Sequence, residues 1–344
     1  MHTARLRKRV VGLAAPVVAL LMVLAGCTAT GAHQHASAGT TPKSQATSAP
    51  GSRTSHASAA GRSAAHRSAS AATESATQAA PTRPCGTRLH PPRTYQHVVW
   101  LVMENHSYDS IIGSRAAPYL NRLAAECGLA TNFYAETHPS LPNYIAMTSG
   151  STHGISDDNG PLAHPLSGPS IFSQTGGHWR ALQENMPVHC YRGSTIYYAV
   201  RHNPATYYTW LHGGGCRTYD LPFNGGPDLS MRFTFITPGI CHDMHNCSVS
   251  TGDAWLSHYV PTLLARPAYR YGTTVIMITW DEGVGSQQRV PTLVISPYVH
   301  PGTRVGVRLN HYSMLRTTEN MLGYRYLGHA ADRLSAGMRP GFHI

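Results

Sequence analysis

Apolar runs of strand length alternate with helical patterns along most of the chain after residue 96. Residues 97–103 (His-Val-Val-Trp-Leu-Val-Met) form a continuous apolar, β-branched run, which is typical of a central strand buried on both faces. Comparable runs predict further strands at residues 129–134, 231–237, 273–280 and 292–296. Helical spacing, or a proline suited to a first helical turn, predicts helices over 116–126, from Pro142 onward, over 252–265 and over 312–322.

This alternation predicts an α/β fold with a mostly parallel central sheet and helices on both of its faces. Residues 151–230 depart from the alternation, because they are rich in glycine, proline, tyrosine and histidine. We expect this region to be a long insertion over the sheet that shapes a substrate pocket.

The first part of the chain has a different composition. Residues 1–27 read as an export signal, with a basic start, an apolar stretch and a Leu-Ala-Gly-Cys motif that resembles a lipobox. Residues 28–83 carry few large apolar side chains and are expected to be a disordered tether. Residues 84–344 would then form the catalytic domain. The protein is expected to be exported and held at the membrane by lipidated Cys27, or released in a secreted form; the alternative is an ordinary cleaved signal.

The chain is basic, with a formal net charge of +11 at pH 7. Part of that excess lies in the export signal, and the remainder would attract anionic substrates or a cell surface. No cluster of lysine and arginine with interleaved aromatic residues occurs in the sequence, so nucleic acid is not an expected partner. The oligomeric state stays open at this point.

Besides Cys27, the chain has an even number of cysteines, which in an exported protein predicts disulfide bonds. A sequential pairing is favoured, because each bond then closes a local loop. The predicted pairs are Cys85–Cys127, Cys190–Cys216 and Cys241–Cys247. A zinc site is less favoured, since no Cys-x-x-Cys pair is present.

Polar side chains follow the predicted strands or precede the last helix. They are Glu104 and Asn105; Thr137, His138 and Ser140; Asp243 and His245; Asp281 and Glu282; and Asn310 and His311. In an open α/β sheet, ligands bind at the carboxyl ends of the strands, so these groups are expected to meet at one edge. Carboxylates with histidines are ligands for divalent ions such as Zn²⁺, Mn²⁺, Mg²⁺ or Ca²⁺.

Ser140 would lie at a strand-to-helix turn, with its hydroxyl near the free N–H groups of a helix start. Such a position favours an anion, either a serine alkoxide or a phosphate oxygen. The alternative is that Ser140 serves only as an N-cap. Together with the carboxylates and histidines, a serine here indicates metal-assisted phosphoryl transfer.

The motifs at these positions resemble those of the phosphoesterase family, which contains bacterial acid phosphatases and phospholipase C-type enzymes of the alkaline-phosphatase-like superfamily. The resemblance covers roughly residues 95–330. It rests on Met103-Glu-Asn-His-Ser107, Thr137-His-Pro-Ser-Leu-Pro-Asn-Tyr144, Cys241-His-Asp-Met-His245, Trp280-Asp-Glu-Gly283 and Asn310-His-Tyr-Ser313.

The resemblance implies a set of roles. Ser140 would be the nucleophile, at a site with one or two divalent metal ions. The implied metal ligands are Glu104, Asn105, Ser140, Asp281 and Glu282. Asp243, His106, His245 and His311 would surround the phosphate or hold a second metal. The implied acids, bases and anion binders are His106, His138, His245 and His311, and Asn143 would donate to a phosphate oxygen.

The function implied is that of a metal-dependent phosphoesterase whose substrate is a phosphate ester. An acid-phosphatase-like phosphomonoesterase that forms a phosphoserine is favoured. The alternative within the same class is a phospholipase C-type phosphodiesterase. The alternative of a different class is a non-catalytic surface lipoprotein that retains the fold for binding.

Overall fold

The computed structural model describes residues 79–226 and 229–344, so the predictions for the export signal, for Cys27 and for nearly all of the tether lie outside the described residues. The strands are β1 (His97–Met103), β2 (Gly128–Ala130), β3 (Phe133–Tyr134), β4 (Trp179–Gln183), β5 (Asp220–Pro222), β6 (Phe233–Thr237), β7 (Thr274–Trp280), β8 (Thr292–Ile295), β9 (Thr303–Val305) and β10 (Leu309–Asn310). The helices are α1 (Tyr108–Ile111), α2 (Pro118–Glu126), α3 (Ser140–Ser149), α4 (Ile171–Gln174), α5 (Gly215–Tyr219), α6 (Val249–Leu264), α7 (Pro267–Arg270), α8 (His311–Leu322) and α9 (Arg339–Phe342).

The main sheet has the strand order β5-β4-β6-β1-β7-β8-β2-β9. Strands β5, β4, β6, β1 and β7 run parallel, whereas β8 is antiparallel to both of its neighbours. Every residue of β7 is buried, and so is every residue of β1 after His97. Because successive side chains of a strand point to opposite faces, both faces of the sheet are covered. The predicted α/β fold with a mostly parallel sheet is thus confirmed.

Side-chain contacts fix the helices against the sheet and against each other. Trp100 of β1 donates a hydrogen bond to Thr318 of α8 at 3.0 Å, and α8 packs on α3. Asp253 of α6 accepts the backbone N–H groups of Tyr119 and Leu120 at 3.0 and 2.8 Å, which caps the first turn of α2. Among the described residues, no helix is both long and apolar enough to cross a membrane.

The single strand predicted over residues 129–134 is wrong. The chain forms two short strands there, and they belong to different sheets: β2 lies between β8 and β9, whereas β3 pairs with β10. Thr131 and Asn132 separate them, and their side chains donate to the carbonyl oxygens of Val305 and Gly306. These polar contacts interrupt the strand at Thr131 and Asn132, whereas the apolar pattern alone predicts one continuous strand.

The interpretation of residues 151–230 as an insertion over the sheet is also partly wrong. Two of its segments, β4 and β5, extend the main sheet beyond β6 in parallel register. Most of the remaining region is made of turns and short 3₁₀ segments, one of which is Val200–His202. The region therefore completes one edge of the sheet as well as contributing side chains above it.

The sequential disulfide pairing is confirmed by the bonds Cys85–Cys127, Cys190–Cys216 and Cys241–Cys247. The first ties the start of the described domain to the end of α2. The last closes a loop of six residues' separation directly after β6. That loop carries two of the side chains predicted to belong to the site.

Candidate active site at the carboxyl edge of the sheet

The loop that follows β1 is joined to the loops after β6 and β7 by hydrogen bonds from its backbone N–H groups. Glu104 directly follows β1, and its N–H donates to the carbonyl oxygen of Asp243 at 2.8 Å. The N–H of Asn105 donates to Oδ1 of Asp281 at 3.0 Å. Asn105 has a φ of 53°, a left-handed conformation that asparagine tolerates better than most residues. The polar groups that follow these three strands therefore lie together, as the sequence predicts.

Ser140 is the first residue of α3 and is buried. Its hydroxyl donates to Oε2 of Glu104 at 3.2 Å. The N-cap position is taken by Pro139, so the alternative that Ser140 is an N-cap is wrong. The expected free N–H groups are also fewer than predicted, because the N–H of Leu141 donates to Asp158 at 2.9 Å and Pro142 has none. The partner of the serine hydroxyl is thus a carboxylate.

His202 joins the site although the sequence analysis missed it. It is fully buried, with Nε2 at 3.3 Å from Oε1 of Glu104 and Nδ1 at 3.3 Å from Oδ2 of Asp243. Its ring stacks on that of Tyr144 at a centroid distance of 5.5 Å. His202 does not follow a strand, so the rule that polar groups meet at strand ends could not predict its place in the site. The sequence feature that could have indicated it is the polar run Arg-His-Asn in an otherwise irregular stretch.

His245 lies beside His202, and one ligand atom from each of Glu104, His202 and His245 falls within 4.8 Å of the others. Asp243 accepts the N–H of His245 at 2.8 Å, which shapes the turn between them. Among the side chains predicted as metal ligands, Glu104 belongs to this tight group. Asp281 is linked to it through the backbone of Asn105.

The carboxylates of the site are buried close together. Burial raises the pKa of Glu104, Asp243, Asp281 and Glu282, and the neighbouring negative charge of Asp281 raises the pKa of Glu104, Asp243 and Glu282 further. Several polar atoms here are buried without a hydrogen-bond partner among the described residues. They are Oδ1 of Asn105, both ring nitrogens of His202, Oδ2 of Asp243 and Oδ2 of Asp281.

A divalent cation would stabilise the ionised form of these crowded carboxylates. It would also accept lone pairs from the polar atoms that have no hydrogen-bond partner. Carboxylate oxygen and imidazole nitrogen together suit zinc and manganese, and oxygen ligands alone would suit magnesium or calcium. The residues present therefore fit a divalent cation.

His138 and Asn143 lie at the turn before α3. Nδ1 of His138 is 2.6 Å from Oε2 of Glu282, and its Nε2 contacts the carbonyl oxygen of Gly285. The buried side chain of Asn143 accepts the N–H groups of Glu136 and Thr137 at 3.0 and 3.1 Å. Its Nδ2 is 3.5 Å from Glu282. Asn143 thus shapes the turn that presents Ser140.

The other two predicted histidines contact backbone atoms of the site. Nδ1 of His106 is 2.9 Å from the carbonyl oxygen of Glu104. Nε2 of His311, the first residue of α8, is 3.1 Å from the carbonyl oxygen of Trp280. His311 is fully buried, and burial lowers its pKa to about 4, so the ring is neutral at pH 7. His106 and His311 therefore contact the backbone where β1 and β7 end.

Comparisons with known proteins identify the family of this chain. Residues 114–324 match the Phosphoesterase family. A phosphatidylinositol-3-phosphatase of Mycobacterium tuberculosis is 33% identical over 253 residues, covering 70% of this chain and 81% of that protein. An acid phosphatase of Aspergillus fumigatus is 28% identical over 251 residues, covering 67% of this chain and 55% of that protein. The chain thus spans little more than half the length of the fungal enzyme.

Among solved structures, a protein in the alkaline phosphatase superfamily from Vibrio parahaemolyticus has a TM-score of 0.50 at 13% identity. The likeness covers 75% of this chain and 72% of that chain and concerns the fold. The family match spans more than half of the sequence and includes Ser140, His202, His245 and Asp281. The chain therefore belongs to the Phosphoesterase family and is a hydrolase of phosphoric esters.

Proposed function

We propose that this protein hydrolyses phosphomonoesters by way of a phosphoserine at Ser140, with a divalent cation held among the buried carboxylates. The observation that carries the proposal is the hydrogen bond from the Ser140 hydroxyl to Glu104, inside a cluster of acidic groups that fits a cation. The names of the relatives support monoesters as substrates, since one is an acid phosphatase and another a phosphatidylinositol-3-phosphatase.

Glu104, Asn105, Asp281 and Glu282 would hold the cation together with the Ser140 oxygen, and His202 is a further ligand candidate next to Glu104. When bound, the cation would neutralise charge on the phosphate oxygens and lower the pKa of the serine hydroxyl. Glu104 orients the hydroxyl through the 3.2 Å hydrogen bond. His138, oriented by Glu282, would give a proton to the leaving oxygen.

In the first step the Ser140 oxygen forms a bond to phosphorus and the bond from phosphorus to the alcohol oxygen breaks. The alcohol leaves with the proton that His138 supplies, and the phosphate stays on the serine. The proton of the Ser140 hydroxyl passes to solvent, from which His138 is protonated again before the next turnover. In the second step the oxygen of water bonds to phosphorus, the serine–phosphorus bond breaks, and a proton from the water returns to Ser140. The products are the alcohol and inorganic phosphate.

A phosphomonoester on a lipid headgroup offers the same reacting group as a soluble ester. The Mycobacterium tuberculosis relative is named for such a lipid, and this favours phosphoinositide monoesters as a second candidate substrate. A phospholipase C-type diester reaction has less support from the relatives' names. Turnover of p-nitrophenyl phosphate, of phosphatidylinositol 3-phosphate in vesicles and of phosphatidylcholine distinguishes the three.

The test of the mechanism uses the variants Ser140→Ala and Ser140→Thr, with Ser149→Ala as a matched buried serine of the same helix. We expect Ser140→Ala to lose several orders of magnitude in turnover while the protein stays folded. Ser140→Thr, which keeps a hydroxyl, should retain more activity, and Ser149→Ala should retain most. Acid quench with ³²P-labelled substrate should trap label on Ser140. Normal turnover by Ser140→Ala would refute the assignment.

A further inference from the structure

Arg201 reaches into the site from the 3₁₀ turn that also carries His202. Its Nη2 donates to Nε2 of His245 at 2.9 Å, and its Nε is 3.6 Å from Oδ2 of Asp158. The side chain is 25% exposed, so the guanidinium lies between solvent and the buried carboxylates. The sequence analysis assigned no role to Arg201 or to Asp158.

The Nε of Arg201 is buried and has no hydrogen-bond acceptor within the part of the chain that the structure describes. The 3.6 Å separation from Asp158 is an ion-pair distance and is longer than a hydrogen bond. A buried N–H without a partner is costly, so such a donor inside a site is available to a ligand oxygen. The positive charge of Arg201 also acts on the surrounding acidic groups, because it opposes the burial that raises the pKa of Glu104, Asp243 and Glu282.

Asp158 connects this guanidinium to the turn of the proposed nucleophile. Its Oδ1 accepts the N–H of Leu141, the residue after Ser140, at 2.9 Å, while its Oδ2 faces Arg201. One carboxylate thus contacts both the first turn of α3 and the arginine. Asp158 therefore couples the position of Arg201 to the turn that carries Ser140.

His245 holds the guanidinium from its other side. Nδ1 of His245 is 2.7 Å from Oδ1 of Asn246, which can only accept, so Nδ1 carries the proton and Nε2 carries the lone pair. That lone pair accepts the N–H of Arg201. Asp158 and His245 together keep the guanidinium at the mouth of the carboxylate cluster.

We propose that Arg201 binds the non-bridging oxygens of the phosphoryl group and makes the site selective for dianionic monoesters, with Asp158 as the residue that positions it. This inference rests on the proposed phosphomonoesterase function. A guanidinium presents several N–H donors in one plane and pairs well with phosphate oxygens. Because a monoester carries one more negative charge than a diester, the fixed positive charge of Arg201 favours the monoester more.

The experiment compares p-nitrophenyl phosphate with bis(p-nitrophenyl) phosphate, a monoester and a diester with the same leaving group. The variants are Arg201→Met, Arg201→Lys and Asp158→Asn. Arg122→Met is the control, because it removes an equal charge from α2, where the guanidinium lies over the ring of Tyr119. Each variant is also titrated with inorganic phosphate, and its folding is checked by circular dichroism.

We expect Arg201→Met to lower kcat/KM for the monoester about 10- to 100-fold, as for the loss of a charged hydrogen bond, and for the diester much less. Arg201→Lys should recover part of the monoester activity. Asp158→Asn should raise the monoester KM about two- to fivefold with kcat nearly unchanged, because it removes one ion pair. Phosphate inhibition should weaken in the same order, and Arg122→Met should match the wild type.

Equal losses on both esters in Arg201→Met, or unchanged inhibition by phosphate, would overturn the assignment. If Arg201→Met fails to fold, Arg201→Lys and Asp158→Asn are used to test the assignment in its place. The criteria are again a larger loss on the monoester than on the diester and weaker inhibition by phosphate. A wild type that cleaves neither ester in the presence of Zn²⁺, Mn²⁺, Mg²⁺ or Ca²⁺ would refute the proposed function. The binding of inorganic phosphate, measured by calorimetry, then decides separately: weaker binding in Arg201→Met than in Arg122→Met supports the inference, and equal binding overturns it.

Discussion

The hydroxyl of Tyr144 donates a hydrogen bond of 2.5 Å to Oε1 of Glu104. Ser140, one helical turn earlier on the same face of α3, donates to the other oxygen of that carboxylate. Both oxygens of one buried acid are therefore held by a single helix. The hydrogen bond from Tyr144 opposes the burial that raises the pKa of Glu104, so it favours the ionised form that binds a cation.

The first prediction concerns Tyr144→Phe, which removes this hydrogen bond and preserves the ring that stacks on His202. We expect the affinity for the divalent cation to fall about tenfold, as is usual when a partner of a metal ligand is lost. Calorimetric titration of the metal-free protein measures it. Tyr208→Phe is the control, since it removes a hydroxyl that contacts Thr148 of the same helix. Equal affinities for both variants and the wild type would contradict the prediction.

A second prediction tests Asp281 and Glu282 as the acidic groups of the cation site. Asp281→Asn with Glu282→Gln keeps the shapes but removes two negative charges. We expect the purified variant to lose bound metal and nearly all turnover, because neutral amides bind divalent cations weakly. Elemental analysis after dialysis measures the metal. Wild-type metal content in the double variant would remove both residues from direct contact with the cation.

Gly283 provides a third prediction, because the chain passes very close to it after Glu282. A Cβ at Gly283 would lie 1.7 Å from the carbonyl oxygen of Gln287, so backbone must move to admit alanine. We expect Gly283→Ala to reduce kcat/KM about 100-fold through a small displacement of Glu282 and His138. Gly337→Ala, where a Cβ meets nothing within 4 Å, is the control and should be fully active. Full activity of Gly283→Ala would show that this turn tolerates movement.

The fourth prediction concerns stability and Asp220, which is fully buried next to the Cys190–Cys216 disulfide. Burial raises its pKa to about 7, against an ordinary value of 3.8. Between these two pH values the folded state keeps a proton that the unfolded state releases. The contribution of Asp220 to stability is therefore fully present below pH 3.8 and is lost as the pH rises through about 7.

Asp220→Asn removes that dependence and retains an oxygen that can accept the hydrogen bond from Asn203. We expect the free energy of unfolding of the wild type, relative to this variant, to fall by about 1 kcal/mol per pH unit between pH 5 and pH 7. Above about pH 8 the difference should be constant. Urea unfolding at several pH values, with the disulfides intact, measures it. Parallel curves for the two proteins would contradict the prediction.

The sequence predicts the strands that lie in the middle of the sheet, and for a physical reason. Strands β1 and β7 are buried on both faces, so their apolar runs are uninterrupted and their ends are marked by Glu104 and Asp281. Polar groups at the carboxyl ends of parallel strands meet at one edge of the sheet. This rule correctly predicts that Glu104 and Asp281 lie close together. Short strands such as β2 and β3 have no long apolar run to mark them. The residues at which they begin and end depend on side chains that contact carbonyl groups far away in the sequence.

The side chains that the sequence analysis missed share one property. Asp158, Arg201 and His202 lie in the irregular region, and none of them follows a strand of the sheet. His202 reaches Glu104 because a 3₁₀ turn packs against α3, which is a contact between segments far apart in sequence. A local sequence pattern does not encode such a contact. Only the residue types, a carboxylate, a guanidinium and an imidazole, indicate that these positions could take part in catalysis or binding.

The disulfide Cys241–Cys247 spans the short loop that carries Asp243 and His245. In a reducing compartment the same residues would be two free thiols, and the loop would lose the covalent closure that limits its conformations. Assembly of the site is therefore coupled to the oxidising potential of the surroundings. In a reducing cytoplasm the loop would hold Asp243 and His245 less firmly than in a compartment where the disulfide can form.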